Sequence, residues 1–435
     1  MTEALTAALG HLSDLRVTSH TSVKIFKGEQ PQGGIKEIAH RLKVDALVEG
    51  SVLRSGDRVR ITAQLIDGHT DRHLWGQSYE RDLRNVISLQ GEVARAIANE
   101  IQVELTPQEQ AHLSRTPTVN PEAYQAYLRG LNSHDLLTLD GLKKALNYFN
   151  RAIEIDPTFA APHVGLARTY YHLSNWWLPP QESIPRAQAE VKKALALDEV
   201  SADAHALNAL FRSNYEFRWA TAENEYRRAL DLYPGSAETQ HWYGLTLMVL
   251  GRFEEAQAQL DRAREADPLT PDLQVDAIWP IFYARDYDGA ISRLEGLIQA
   301  QPDLFLAHSA LGEAYEQKRD WAAAIAQLEK ARELGGNPWV SAALARTYAA
   351  KGDKAQALRL VNELITLSKK EYVSSYSVAT VYASLRNPDQ AFVWLEKGYK
   401  ERCEDMTFLK IDPRIDPLRS DPRFQDLLYR MNFPP

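Results

Sequence analysis

Two histidines, His69 and His73, flank a predicted turn and are the nearest approach in this sequence to a metal-binding pair. A protein zinc site takes three or four ligands, and the sequence offers no third ligand nearby. We therefore interpret His69 as a turn residue and His73 as a strand residue. No metal site and no cofactor are expected.

Residues 28–36, GEQPQGGIK, are the nearest approach to a phosphate-binding loop, but the glycines and the lysine stand at the wrong offsets. We interpret them as a plain loop. The sequence contains no G-x-S-x-G turn, no Walker-type G-x-x-x-x-G-K-S/T loop and no H-E-x-x-H helix. No catalytic residue is assigned, and the chain is predicted not to be an enzyme.

With no catalytic or metal site predicted, the remaining function is binding of another molecule. The residues that would bind it lie on a repeated structural unit. Residues 237–268 show the pattern most clearly, with two helical periods separated by a turn at Gly251. Small residues at Gly244 and Ala256 allow the two predicted helices to touch closely. Prolines close this unit and its neighbours at 34- to 36-residue spacing, namely Pro234, Pro268, Pro302 and Pro338.

This spacing, with its small residues and closing prolines, resembles the tetratricopeptide repeat (TPR). Eight such units align in register over residues 121–404. The resemblance implies a right-handed all-α solenoid of about eight helix pairs, and residues 405–435 are predicted to cap its last unit. Pro280 is expected to kink the first helix of unit five, because proline removes a helical hydrogen bond.

In a TPR stack the first helix of each pair lines a concave groove. At the groove-facing positions of units two to five the resemblance places large aromatic, aliphatic and basic side chains that suit an apolar or helical peptide. The alternative is that they only pack neighbouring helices. They are Arg168, His172, Phe211, Tyr215, His241, Leu245, Met248, Trp279, Phe282 and Tyr283.

Unit two carries about eight extra residues between its helices, NWWLPPQES. The tryptophans of this insertion, Trp176 and Trp177, are a second predicted contact site, because exposed tryptophans are typical of binding surfaces. The alternative is that the insertion folds back over unit one.

The first 105 residues do not share the repeat pattern of residues 121–404. Their patterns predict the order α-β-α-β-β-β-α, including a short strand at residues 15–19, a helix at 35–42 and a three-stranded meander from residue 46. The overall class is therefore α+β, with a small α/β domain at 1–105, a short helix and linker at 106–120, and then the solenoid. The short helix is predicted to begin with Thr106 as N-cap and Pro107 at the first helical position.

Residues 44–67, VDALVEGSVLRSGDRVRITAQLID, with TDRHLWGQSYERDL and SLQGEVARAI, resemble the TolB amino-terminal-like or FlgO-like domain of bacterial signalling proteins. Relatives of this kind carry winged-helix, serine/threonine kinase or class III cyclase effectors, and this sequence contains none of them. The resemblance also implies a first strand ahead of residue 1. Without it, the domain would expose a sheet edge through which chains could pair.

Composition limits the class of partner. The net charge of the 435 residues is -8, and no cluster of Lys and Arg suits nucleic acid or an anionic membrane surface. A single cysteine, Cys403, excludes an internal disulfide. No apolar run reaches the length of a membrane span, and the first residues do not resemble a signal peptide, so the chain as written is expected in the cytoplasm.

The sequence thus predicts a non-enzymatic scaffold that binds a protein or peptide in the TPR groove, as a sensory or assembly module of a bacterial signalling or transcription-regulation system. Two alternatives remain open. One is a fragment of a multidomain signalling enzyme, of the adenylate cyclase or kinase families, whose catalytic domain is absent from this sequence. The other is a self-assembling structural protein.

Overall fold

The computed structural model describes residues 2–12, 15–26, 33–55, 58–82, 86–103, 105–106, 109–110, 119–335, 337–370 and 372–434. It contains a small α/β region followed by a long array of paired helices, so the predicted α+β class is confirmed. The predicted loop at 28–36 falls mostly on residues outside this range. So does most of the predicted helix and linker at 106–120, although Thr106 and Glu109 exchange the reciprocal hydrogen bonds of a capping box.

The described residues of the amino-terminal region form three strands and four helices. Strands β1, β2 and β3 form an antiparallel sheet in the order β1-β2-β3. The residues of β2 alternate between buried and exposed, as its sequence pattern predicts. The elements are α1 (Thr2–Gly10), α2 (His20–Lys24), α3 (Gly34–Leu42), β1 (Ala46–Ser55), β2 (Arg58–Asp67), β3 (His73–Asp82) and α4 (Val86–Glu100).

Helices α1 and α4 cover one face of this sheet. Leu5 and Leu9 from α1 and Val93 and Ile97 from α4 share a buried cluster with alternate residues of β2. Among the described residues, β1 pairs only with β2, and the side chains of Val48, Val52 and Leu53 along it are exposed.

The strand predicted at residues 15–19 is wrong. This segment lies against the helical array, where the Ser19 amide donates to the Ala266 carbonyl at 2.9 Å. The Ser19 hydroxyl accepts from the Ser22 amide and caps α2. Ser22 then donates to Asp267 and accepts from the Leu269 amide, so its hydrogen bonds are made with the solenoid and not with a sheet.

Within the described residues from 121 to 401, the helical array consists of eight consecutive helix pairs, in one of which the first helix is divided in two, and this confirms the predicted number. The helices are α5 (Pro121–His134), α6 (Leu139–Ile155), α7 (Ala161–Trp176), α8 (Pro180–Leu197), α9 (Ala202–Asn214), α10 (Trp219–Leu232), α11 (Ala237–Val249), α12 (Phe253–Ala266), α13 (Pro271–Asp276), α14 (Trp279–Tyr283), α15 (Tyr287–Ala300), α16 (Phe305–Gln317), α17 (Trp321–Glu333), α18 (Pro338–Lys351), α19 (Lys354–Leu367), α20 (Ser375–Ser384) and α21 (Pro388–Glu401).

Proline 280 breaks the first helix of unit five instead of merely bending it. Helix α13 ends at Asp276 and α14 begins at Trp279, which puts Pro280 in the first turn of a new helix. Proline is tolerated there because the first amides of a helix have no intrahelical acceptor.

The carboxyl-terminal segment, residues 401–434, folds into two 3₁₀ helices (Glu404–Lys410 and Pro413–Leu418) and α22 (Pro422–Arg430). It packs on unit eight as predicted, and it also reaches back to unit three. The Trp219 ring stacks on Phe433 at 4.9 Å, and Trp219 Nε1 donates to the Met431 carbonyl at 3.0 Å. The solenoid is therefore closed by contact between its carboxyl terminus and its early units.

Close approach between paired helices yields a first prediction. A Cβ at Gly244 would lie 2.7 Å from Leu260 Cγ, so Gly244→Ala should lower the free energy of unfolding by about 1–3 kcal/mol through overpacking. Gly296→Ala is the matched control, because a Cβ there meets no atom within 4 Å. It should raise the free energy of unfolding by about 0.5–1 kcal/mol. Urea denaturation followed by circular dichroism measures both, and two changes of the same sign would contradict the close contact.

Candidate functional site

The histidine pair considered for a metal lies at the exposed end of the sheet. His69 Nε2 is 3.4 Å from a carboxylate oxygen of Asp45, and both side chains are exposed. His73 is the first residue of β3. Within the described ranges, no three His, Cys, Asp or Glu side chains are grouped so that they could hold a metal ion.

Half of the predicted groove residues line one cavity of about 780 Å³. The first helices of units two to eight supply one wall, and residues 402–414 of the carboxyl-terminal segment supply the opposite wall. The predicted residues on this cavity are Phe211, Tyr215, Leu245, Trp279 and Tyr283.

The other five predicted residues are engaged in packing or ion pairs. Met248 and Phe282 are buried in the hydrophobic core. Arg168 pairs with Glu238, and His241 Nε2 lies 2.7 Å from Asp276. Glu238 lies in unit four, two units from Arg168, and Asp276 lies in unit five, next to the unit of His241. These side chains therefore link the first helices of different units.

His172 lies inside the solenoid, where its ring packs edge-on against His134 at 5.0 Å. Burial, together with the nearby positive charge of Arg168, lowers the pKa of His172 to about 3. The pKa of His134 is also lowered, chiefly by burial. Both rings are therefore neutral at physiological pH and contribute packing to this part of the solenoid.

The insertion of unit two lengthens helices and does not form a long loop. Helix α7 continues to Trp176 and α8 already begins at Pro180. Trp177 is 37% exposed and lies at the edge of the cavity. The side chain of Trp176 lies outside the described residues.

The sequence prediction missed the contribution of the carboxyl-terminal segment to this site. Phe408 stacks on Tyr283 with ring centroids 5.5 Å apart. Arg402 lies over the rings of Tyr215, Phe217 and Tyr399. The available signal was the density of apolar residues between 406 and 433, which exceeds what one helix face of unit eight can cover.

A buried network of charges joins the segment to units five to seven. Arg414 contacts Glu313, Asp412 and the Tyr283 hydroxyl, and Arg346 contacts Glu313 and Glu316. The mutual attraction of these groups and their hydrogen bonds offset the cost of removing the charges from water.

A bidentate ion pair closes the outer rim of this interface. Both terminal nitrogens of Arg285 donate to the Asp416 carboxylate, at 2.6 and 2.9 Å. These side chains are partly exposed, and Asp416 also accepts from Arg419. The pair can be altered without opening a cavity in the core.

Glu404 extends from the segment toward the first helices of units two and three. Its Oε1 accepts from the Tyr171 hydroxyl at 3.2 Å and from Asn214 Nδ2 at 2.6 Å. Burial and the neighbouring Asp405 raise the pKa of Glu404 to about 7.

Models of the tetratricopeptide repeat family match residues 215–275 and 282–338, so the chain contains tetratricopeptide repeats. A solved structure of a monomeric IFIT1 mutant with m7Gppp-AAAA has a TM-score of 0.50 at 14% identity, and the match covers 80% of this chain and 87% of that one. At this identity the likeness concerns the fold alone.

Two curated relatives match smaller parts of the chain. Putative adenylate cyclase 3 of Rhizobium meliloti is 36% identical over 169 residues, which are 38% of this chain and 28% of the relative. Transcriptional regulator HilA of Salmonella typhimurium is 25% identical over 171 residues, 39% of this chain and 31% of the relative. The match therefore spans less than a third of either relative. No helix in the described part of the chain combines the length and apolar character needed to cross a membrane.

The raised pKa of Glu404 yields a second prediction. Between the ordinary value of about 4.5 and the folded value of about 7, the folded protein retains a proton that the unfolded chain has lost. The contribution of Glu404 to stability therefore falls as pH rises through this window. Glu404→Gln preserves both hydrogen bonds and cannot ionise. The variant should therefore gain stability relative to the wild type as pH rises. The difference in free energy of unfolding, variant minus wild type, should be about 2 kcal/mol larger at pH 8 than at pH 5.

Urea titrations at both pH values measure this difference. Glu254→Gln, at an exposed position on α12, is the control and should follow the wild type at both pH values. A constant offset between Glu404→Gln and the wild type would show that Glu404 does not titrate in this range.

Proposed function

We propose that this chain is a non-enzymatic protein-interaction scaffold whose concave TPR face binds a segment of a partner protein. The tetratricopeptide repeats support this proposal, because stacked helix pairs form an extended concave surface used for binding. The predicted groove residues retain this role as part of the proposal, with Phe211, Tyr215 and Trp279 as its aromatic anchors.

One observation carries the proposal: the concave face already holds a polypeptide segment, residues 402–418 of the same chain. The contacts include aromatic stacking of Phe408 on Tyr283, the buried ion pairs of Arg414 and the bidentate pair of Arg285 with Asp416. These are the interaction types by which a groove recognises a peptide. A partner segment would compete with the chain's own segment for this face.

The biological setting is part of the same proposal. The match to a transcriptional regulator and the resemblance of the first 105 residues to the TolB amino-terminal-like domain support a module of a bacterial signalling system, at 1–105 and 121–404, that serves an effector. A fragment of a signalling enzyme is the second candidate, favoured by the match to a putative adenylate cyclase. The scaffold predicts no turnover in cyclase and kinase assays on the purified chain, and activity in either assay would contradict it.

The groove proposal predicts that opening the segment increases partner capture. Asp416→Arg should replace the attraction to Arg285 with repulsion and expose the concave face. The double exchange Arg285→Asp/Asp416→Arg should restore the attraction and serves as the matched control. Wild type and both variants, immobilised on beads, are compared by quantitative mass spectrometry of proteins captured from bacterial lysate, and hydrogen exchange of residues 404–418 reports opening.

The expected result is a protein captured several-fold more by Asp416→Arg than by the wild type, with capture by the double exchange close to the wild-type level. A purified copy of that protein should show the same order of affinities by calorimetry. If hydrogen exchange confirms opening and capture does not change, the partner does not use the concave face. If no protein is enriched on any of the three baits, the scaffold proposal fails.

A further inference from the structure

The cavity between the concave face and the carboxyl-terminal segment has the dimensions of a small-molecule site. Its volume of about 780 Å³ falls within the range of pockets that enclose small organic ligands, roughly 300–1,000 Å³. Trp177 and the exposed Lys370 lie on its rim, which gives a ligand a path from solvent. A space of this size behind the carboxyl-terminal segment is required neither for peptide binding nor for helix packing.

Aromatic rings dominate the wall of this cavity. They come from the first helices, from the turn before unit eight and from the carboxyl-terminal segment, so rings lie on several sides of the space. The quadrupole of an aromatic ring attracts a cation placed over its face. The rings are those of Tyr171, Phe211, Tyr215, Trp279, Tyr283, Trp339, Tyr372, Tyr376 and Phe408.

The arginines of the wall are already engaged. Arg346 and Arg414 lie between three carboxylates, those of Glu313, Glu316 and Asp412. The Arg402 guanidinium lies over three aromatic rings. Arg346 and Arg414 are therefore already paired with carboxylates, and Arg402 already lies against ring faces.

Two adjacent carboxylates of the wall differ from the rest. Glu404 accepts hydrogen bonds only from the neutral groups of Tyr171 and Asn214, and Asp405 accepts from the Ser374 hydroxyl. Among the described residues, no basic side chain forms a salt bridge with either carboxylate, and Glu404 Oε2 accepts no hydrogen bond. Both side chains are partly buried in the cavity wall, and a cation placed beside a carboxylate that lacks a salt-bridge partner gains from their mutual attraction.

We propose that this cavity binds a small organic cation, with its ammonium group against the Glu404 and Asp405 carboxylates and its apolar body against the aromatic wall. Burial is the largest cause of the raised pKa of both carboxyl groups, and a neighbouring positive charge would favour their ionised forms. The proposal goes beyond the scaffold function. Because the ligand would touch both the concave face and the carboxyl-terminal segment, its binding would stabilise the closed solenoid and act against a competing partner.

The test compares three probes of similar shape and different charge by isothermal titration calorimetry on the full chain. They are phenethylammonium chloride, neutral phenylethanol and anionic phenylpropionate, all at pH 8.5, which is above the raised pKa of about 7 of Glu404. The wild type should bind the ammonium probe at least tenfold more tightly than either of the other two. The ammonium probe should also slow hydrogen exchange of residues 404–418.

The variants isolate the two carboxylates. Glu404→Gln and Asp405→Asn keep the size of each side chain and remove the charge, so each should weaken ammonium binding about tenfold and leave the affinity for phenylethanol unchanged. Glu254→Gln removes an exposed carboxylate on α12 and should bind like the wild type. Testing both carboxylates separately keeps the comparison valid if one variant does not fold.

Three results would overturn the proposal. One is the absence of ammonium binding by the wild type. Another is equal or tighter binding of phenylethanol or phenylpropionate, which would assign the cavity to neutral or anionic ligands. The third is unchanged ammonium affinity in the folded Glu404→Gln and Asp405→Asn variants. None of these depends on partner capture, so the outcome is separate from that of the scaffold proposal.

Discussion

Each helix pair of a solenoid buries its apolar surface only against the next pair, and the last pair must find another cover. Here the cover is residues 401–434, and the same residues supply the opposite wall of the concave face. One buried cluster consequently includes Val164 in unit two and Met431 after the last helix. Closure of the array, the occupied groove and the enclosed cavity all follow from this single requirement.

Closure combines apolar and charged contacts that differ in strength. Stacking of Trp219 on Phe433 and of Tyr283 on Phe408 removes large ring surfaces from water. The Arg414 network is buried and mainly specifies how the segment is seated, since its attraction is set against the cost of desolvation. The Arg285 and Asp416 pair at the rim is partly exposed and contributes less. The stacked rings and the buried charges thus hold residues 401–434 firmly, and the exposed ion pair at the rim is the weaker contact.

Two binding events would act on the same element in opposite directions. A partner segment in the concave groove requires residues 402–418 to leave, whereas a small cation in the cavity requires them to stay. If both proposals hold, the affinities for partner and cation are linked, because each binds a different state of one equilibrium. This arrangement would allow a scaffold without catalytic residues to respond to a small molecule.

The sequence by itself determined the features that repeat or alternate over short distances. The eight helix pairs, the close approach of two helices at Gly244, an irregularity of the first helix of unit five at Pro280 and the three strands of the sheet all follow from local periodicity and residue size. Local patterns also identified five residues of the cavity wall. The strand predicted at residues 15–19 was wrong because Ser19 and Ser22 form hydrogen bonds with residues near 267, which no local pattern indicates.

Only the tertiary structure decided that the groove is occupied and that a cavity remains inside it. The decisive contacts join Glu404 to Tyr171 and Trp219 to Met431, residues about 200 positions apart in the chain. Whether such residues meet depends on the superhelix curvature, which is the sum of small rotations from one pair to the next. No local pattern contains that sum, so the sequence indicated which residues belong to the first helices and the fold determined what lies against them.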